Sequence, residues 1–218
     1  MGVVAWAEEE GRAEGHGPTS YMYNSLVTAC GLCGEVEELQ RIPERMFDHG
    51  VKQDTVTLAA TASAYAGLGL LEEAECMVDR MRAKGGGVVA EPRVYSALIA
   101  AYGRRGDAKR AVGVLERMRE EGCPPNTITY NAAISACSRA KQYDLALSVL
   151  AKMQGEGVRR DGATKRALQS IFHHMLGAAA RRGQWKWAGE LLDRMRECGV
   201  ERSAFALTAA CATCAKAR

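Results

Sequence analysis

The stretch Thr127–Asp161, TITYNAAISACSRAKQYDLALSVLAKMQGEGVRRD, decides the fold. Tyr130, Ala133, Ile134 and Cys137 recur at i, i+3, i+4 and i+7, which places them on one apolar face of a helix. Ala146, Val149, Leu150 and Met153 repeat that spacing. Between the two patterns, Ala140 to Asp144 is polar enough for a short turn. Gly157 stands where a helix C-terminus favours a residue tolerant of positive φ. The stretch predicts a helical hairpin.

The same frame recurs on both sides. Pro92 to Asn126 carries Tyr95, Leu98, Ile99 and Tyr102, then Ala111, Val114, Leu115 and Met118, with Gly122 after them. Met-to-Gly pairs mark the whole chain: Met46/Gly50, Met81/Gly85, Met118/Gly122, Met153/Gly157 and Met195/Gly199. The methionines stand 35, 37, 35 and 42 residues apart. A single hairpin cannot bury its apolar face alone, so a period of this size predicts a stack of hairpins, a solenoid.

Two further columns identify the solenoid. The first helices open with Tyr23-Asn24, Tyr95-Ser96 and Tyr130-Asn131, and the matching units close with Asp54, Asn126 and Asp161. A 35-residue unit with TYN near its start, a Met-bearing second helix and a Gly followed by Asp or Asn resembles the pentatricopeptide-repeat family. The Trp/Leu/Gly/Tyr pattern of tetratricopeptide units is not found. The resemblance spans residues 20–203 and implies an all-α, right-handed α-solenoid of stacked helix-turn-helix repeats. The units are 20–54, 55–91, 92–126, 127–161 and 169–203, because Gly183 aligns with the inter-helix glycines Gly34, Gly69 and Gly106. Residues 162–168 are then an insertion expected to lengthen the first helix of the fifth unit. Residues 1–19 read as an irregular remnant of a preceding repeat, and 204–218 as the first helix of a further repeat, cut short. Pro43 predicts a kink or a late start in the second helix of the first unit, and Gly85-Gly86-Gly87 a flexible turn.

Composition agrees with packed small helices: 47% of residues are apolar and only 6% aromatic. A net charge of +3 is too mild to argue for nucleic acid by itself. No run of 18 apolar residues suggests a membrane span. The eight cysteines read as free thiols of a reducing compartment. Cys30 and Cys137 share a packing column with Tyr65, Tyr102 and Ala179. Cys30-x-x-Cys33 and Cys211-x-x-Cys214 have the spacing of half a zinc site each, but they stand far apart in an extended array, so no metal is expected. His173-His174 does not read as a catalytic pair, because adjacent helical residues point about 100° apart. No enzymatic activity and no cofactor are expected. The acidic Glu8-Glu9-Glu10 run lacks the look of a transit peptide.

What the resemblance implies about function is sequence-selective binding of single-stranded RNA, one base per repeat, read by two or three side chains. In that family the fifth and last residues of each unit read the base. Here the pairs are Asn24/Asp54, Ala59/Glu91, Ser96/Asn126, Asn131/Asp161 and His173/Ser203. Asn with Asp implies uracil and Ser with Asn adenine, which gives 5′-U-N-A-U-N-3′. Ala59 brings no hydrogen-bonding side chain, and His173/Ser203 is outside the assignable pairs. The second residues, Tyr21, Val56, Arg93 and Ile128, are the expected base-stacking positions. Arg104, Arg139 and Arg181 form a column near the end of the first helix, where they either meet phosphates or complement the helix dipole. The resemblance further implies organellar RNA processing, stability or translation, in mitochondrion or chloroplast, with protein partners supplying effector activity. A protein-binding helical scaffold without RNA readout is the alternative.

Overall fold

The computed structural model describes residues 18–83 and 91–216, so the expected remnant up to residue 17 and the Gly85–Gly87 turn lie outside the described residues. Among the described residues the chain forms eleven helices and no strand: α1 (Ser20–Cys33), α2 (Val36–Asp48), α3 (Thr55–Leu68), α4 (Leu71–Ala83), α5 (Pro92–Arg105), α6 (Ala108–Glu120), α7 (Thr127–Arg139), α8 (Tyr143–Gly155), α9 (Gly162–Arg182), α10 (Trp185–Glu197) and α11 (Ala204–Lys216). First and second helices alternate, and each first helix packs on its own partner and on the next first helix. The element order is that of stacked helical hairpins.

Local chemistry sets where each helix stops. α1, α3, α5 and α9 end on left-handed glycines at 34, 69, 106 and 183. In the fourth unit Lys141 takes that place at φ 57°, the sole positive φ outside glycine among the described residues. The second helices close in the same manner. The amide one residue past the landmark glycine donates to the methionine carbonyl: Val51 to Met46 at 2.8 Å, Cys123 to Met118 at 3.0 Å, Val158 to Met153 at 3.0 Å and Val200 to Met195 at 2.9 Å. This closing bond accounts for the constant Met-to-Gly spacing, since it ties the two residues to one Schellman turn. Pro43 lies inside α2, which starts at Val36, so the helix does not begin late.

Within a unit, the tyrosine of the first helix locks the end of the second. The rings of Tyr23, Tyr95 and Tyr130 are buried. Their hydroxyls reach His49 at 2.6 Å, Glu121 at 2.5 Å and Glu156 at 2.7 Å, each the residue before a landmark glycine. Burial, followed by the hydrogen bond to the carboxylate, pushes the phenols of Tyr95 and Tyr130 well above the usual range. Between units, first helices approach closely over small residues. A Cβ built on Gly31 would stand 2.7 Å from the Cβ of Ala64, and one on Gly103 2.7 Å from that of Ala136. Ala64 is buried, whereas its counterpart Ala29 in α1 is half-buried, because no described helix packs outside α1. Burial therefore depends on neighbouring units, as expected for a stack of hairpins. Ion pairs tie the second helices: Arg117 to Asp79 at 2.5 Å, Arg119 to Glu156 at 3.1 Å, and Lys152 to Glu116. They are partly exposed and contribute modestly.

α9 is 21 residues long, against 13 or 14 for the other first helices. Its Thr164, Leu168, Ile171, Phe172, Met175, Leu176 and Ala179 are all buried, so the apolar face continues along the added length.

Candidate nucleic-acid interface

The last residue of each unit is the N-cap of the next first helix. Four backbone amides at a helix N-terminus lack intrahelical partners, and short oxygen-bearing side chains satisfy them. Asp54 accepts from the Thr57 amide at 2.7 Å and the Thr57 hydroxyl at 2.8 Å. Asn126 accepts from the amides of Ile128 and Thr129, both at 3.0 Å, and Thr129 completes a capping box. Asp161 accepts from the Thr164 amide at 2.8 Å in a second capping box. Ser203 accepts from the Ala206 amide at 3.3 Å. Glu91 alone makes no side-chain cap, and Pro92 behind it has no amide hydrogen to satisfy. A column of Asp, Asn and Ser thus has a structural cause independent of any ligand.

The fifth residues sit about one turn inside the same helices. Asn131 Nδ2 donates to Asp161 Oδ1 at 3.0 Å. Thr164 Oγ1 shares its proton between Asn131 Oδ1, at 2.6 Å, and Asp161 Oδ1, at 2.9 Å. These bonds fix which end of the Asn131 amide is oxygen. They leave it one N–H and one oxygen lone pair for a further partner. The Asp161 carboxyl is exposed, yet it is held down to about 2 by the Thr164 amide, the Asn131 amide and the Thr164 hydroxyl, in that order. In the fifth unit His173 Nε2 and Ser203 Oγ meet at 2.7 Å.

The other three pairs are not joined directly. Ser96 Oγ donates to the Arg93 carbonyl at 2.8 Å, which turns its hydroxyl into an acceptor toward anything else. With Asn126 Oδ1 committed to the cap, the Asn126 Nδ2 hydrogens remain as donors. Asn24 Oδ1 is enclosed and has no hydrogen-bond partner. Ala59 is buried and presents nothing to the surface.

The second residues stand beside the caps at the second position of each first helix. Tyr21 is 79% exposed, Ile128 67% and Val56 48%, large apolar groups left in water at a repeated position. Arg93 occupies the same place in α5, with a long 3.9 Å pairing to Glu91. The arginine column lies at the opposite end of the first helices. Arg104 donates to the carbonyls of Ala66 at 2.7 Å and Gly67 at 3.2 Å, at the C-terminus of α3, where a cation complements the helix dipole. Arg139 lies against Gly103 of α5, its Nη2 2.6 Å from where a Cβ would stand. Arg181 lines a cavity of ≈ 260 Å³ with His173, His174, Gly177 and Phe205.

Thr57, Thr129 and Thr164 were not singled out by sequence reasoning. The signal was present, because each stands three residues after the capping Asp or Asn, in the spacing of a capping box. Phe205 was also missed, although it is the second residue of the helix that opens at Ala204, the position of Tyr21, Val56, Arg93 and Ile128 in the earlier units. Among the described residues no group of three or more His, Cys, Asp or Glu side chains is placed to hold a metal. Cys30, Cys33, Cys76, Cys123, Cys137, Cys198 and Cys211 are free thiols. Burial pushes Cys137 up to about 11, as fits a packing residue. Among the described residues no helix is long and apolar enough to cross a membrane.

A family model described as PPR repeat matches residues 21–51, 61–86, 128–158 and 170–200, and one described as pentatricopeptide repeat domain matches residues 87–139. One pentatricopeptide repeat-containing protein of Arabidopsis thaliana is 27% identical over 161 residues, covering 72% of this chain and 28% of its own length. Another from the same plant, named as chloroplastic, is 30% identical over 141 residues, covering 64% of this chain and 27% of its own. The chain therefore spans just over a quarter of these relatives. Among solved structures, PPR10 from maize superposes with a TM-score of 0.61 at 21% identity, covering 96% of this chain and 38% of that one. The same maize protein solved with an 18-nt RNA element gives 0.54 at 20% identity, covering 96% and 34%. The PPR domain of Arabidopsis thaliana protein-only RNase P 1, solved with tRNA, gives 0.58 at 23% identity, covering 75% and 85%. The fold common to all three is the right-handed α-solenoid.

Proposed function

The chain belongs to the pentatricopeptide-repeat family, and from that premise we propose that it binds single-stranded RNA sequence-selectively, with one base facing each competent repeat. The observation that carries the reading is the Asn131–Asp161–Thr164 network, which orients an amide and leaves it one donor and one acceptor. Uracil offers the complement on its Watson–Crick edge, an N3 hydrogen beside the O4 acceptor. Asn24/Asp54 repeats the residue types and is assigned the same base, for which the enclosed Asn24 Oδ1 has to turn outward. Ser96 and Asn126 together also present one acceptor and one donor, which suits the N6 amino group and N1 of adenine. Ser96 is shorter than Asn131, and it leaves room for the larger purine.

Tyr21, Val56, Arg93 and Ile128 are assigned the stacking role, since base–aromatic and base–guanidinium contacts need exposed faces beside the reading groups. For phosphate contacts, Arg139 and Arg181 are the candidates with the freer guanidinium groups, while Arg104 is held by backbone carbonyls. The domain boundaries 20–54, 55–91, 92–126, 127–161 and 169–203 are proposed as the functional units. The role assigned is binding without catalysis, with effector activity supplied by protein partners. Relatives named as chloroplastic support an organellar setting for RNA processing, stability or translation, without a choice between chloroplast and mitochondrion.

A substitution at Asn131 tests the assignment. Asn131→Thr removes the amide and, if the family rule for that position applies, moves the preference at the second uracil toward guanine. The substitution also removes the hydrogen bonds to Asp161 and Thr164, so a stability loss of about 0.5–1.5 kcal/mol accompanies the change in preference. Fluorescence anisotropy with oligomers varied at each base reads the outcome. A change confined to one base supports the reading; an equal change for all sequences removes Asn131 from the readers.

A further inference from the structure

The length of α9 separates one potential reader from the rest. In the regular units the fifth residue follows the preceding cap by five positions, as Asn131 follows Asn126 and Ser96 follows Glu91. His173 follows Asp161 by twelve. Asp161 holds its place beside Asn131, so the seven extra residues carry His173 about 10 Å further along the helix axis, at ~1.5 Å per residue. Packed helices stand ~8–10 Å apart, and that spacing sets the ordinary step from pair to pair. Adding a displacement of about 10 Å along the axis lengthens this step to roughly 13–14 Å.

At the displaced position the surface is built for a base. His173 Nε2 and Ser203 Oγ meet at 2.7 Å, and the Phe205 ring lies 4.9 Å from the His173 ring, tilted by 56°. Phe205 is 53% exposed. The adjoining cavity of ≈ 260 Å³ is lined by Gly177 and Arg181 as well, and the Arg181 guanidinium lies over Gly177, its Nη1 3.6 Å from where a Cβ would stand. Arg181 makes no ion pair among the described residues. His174 also lines the cavity, but its ring is committed elsewhere: it stacks on Tyr143 at 6.1 Å, and its Nδ1 reaches the Ser170 carbonyl at 2.7 Å.

We propose that this cavity is a nucleotide site detached from the contiguous readers: an unpaired base enters it, stacks on Phe205 and bonds the His173/Ser203 pair, its phosphate meets Arg181, and at least one nucleotide between it and the uracil at Asn131/Asp161 passes unread. The inference rests on the RNA reading above and goes beyond it, because a contiguous array would place the next base directly after that uracil.

The test uses the intact chain and oligomers 5′-U-N-A-U-X1-X2-X3-3′, with the fluorescent base 2-aminopurine at X1, X2 or X3 in turn. Stacking on Phe205 quenches the fluorescence. Maximal quenching at X2 or X3 is expected, together with its loss in Phe205→Ala and a fall in affinity on the order of 5- to 100-fold. The U and A preferences of the first four positions are expected to stay unchanged in that variant. Maximal quenching at X1, or quenching indifferent to Phe205→Ala, overturns the detached site while leaving the RNA reading in place. Oligomers with U and A exchanged supply the separate control: equal binding to both sets overturns the RNA reading itself.

Discussion

Asn126 is assigned two functions, capping α7 and reading a base, and substitutions can separate them. Asn126→Ala removes the acceptor of the Ile128 and Thr129 amides. Losing an N-cap of this type costs ~0.5–2 kcal/mol. Thr129 is fully buried, so its amide has no water to turn to, and the upper half of that range, about 1–2 kcal/mol, is expected. With a urea dependence of ~1–3 kcal/mol per molar, the unfolding midpoint falls by roughly 0.3–2 M. Asn126→Asp keeps the capping oxygen, and a carboxylate at a helix N-terminus is well placed, so its midpoint stays at or above that of the parent. It exchanges the Nδ2 donor for an acceptor, however, and adenine N1 loses its partner. Discrimination for adenine at that position falls by about 1–3 kcal/mol, by analogy with base-edge contacts in DNA. Urea titration and oligomer binding on the same samples decide the matter. An unaltered midpoint in Asn126→Ala refutes the cap. Unaltered base preference in Asn126→Asp refutes the reader.

Gly103→Ala and Gly113→Ala make the same chemical change with opposite expected signs. At Gly103 the new Cβ meets backbone and side chain of Ala136, and overpacking of ~1–3 kcal/mol exceeds or cancels the ~1 kcal/mol gained in helix propensity. At Gly113 nothing lies within 4 Å, so thermal or urea unfolding reports a gain of about 0.5–1 kcal/mol; a gain at both sites contradicts the close approach of α5 and α7. The Asp161 carboxyl, lowered from 3.8 to about 2, contributes its bonds fully above pH 4 and loses them as pH falls through about 2. Carboxyl carbon shifts followed by NMR report that titration near 2 in the parent and closer to 3.8 in Asn131→Ala, whereas an ordinary value in the parent rules out the network.

The repeat was legible because it is written in residues whose reasons are local. Met46, Met118, Met153 and Met195 each accept the closing bond of a second helix, and the glycine before the donor sets the register. The inter-helix turn of the fourth unit carried no glycine, and there Lys141 adopts a positive φ that nothing in the polar stretch Ala140–Asp144 announced. The role of Asp54, Asn126 and Asp161 as caps was readable from the threonines three residues on. The hydrogen bond between Asn131 and Asp161 was not, since it joins the two ends of one unit, residues 30 apart. Tyr23, Tyr95 and Tyr130 read as core residues, but their bonds to His49, Glu121 and Glu156 depend on how the second helix ends and had no sequence signature. Arg104 illustrates the limit of column reasoning. It aligns with Arg139 and Arg181, yet only its donors are committed to the carbonyls of Ala66 and Gly67 among the bonds described.

Binding of the parent chain to a randomised single-stranded RNA pool, with the duplexed pool as competitor, tests the proposed function most directly. Selected sequences enriched in U-N-A-U, with loss of enrichment on duplex formation and binding that weakens steeply with salt, are the predicted result. Equal retention of single-stranded and duplex pools, with no base enriched at any position, contradicts it.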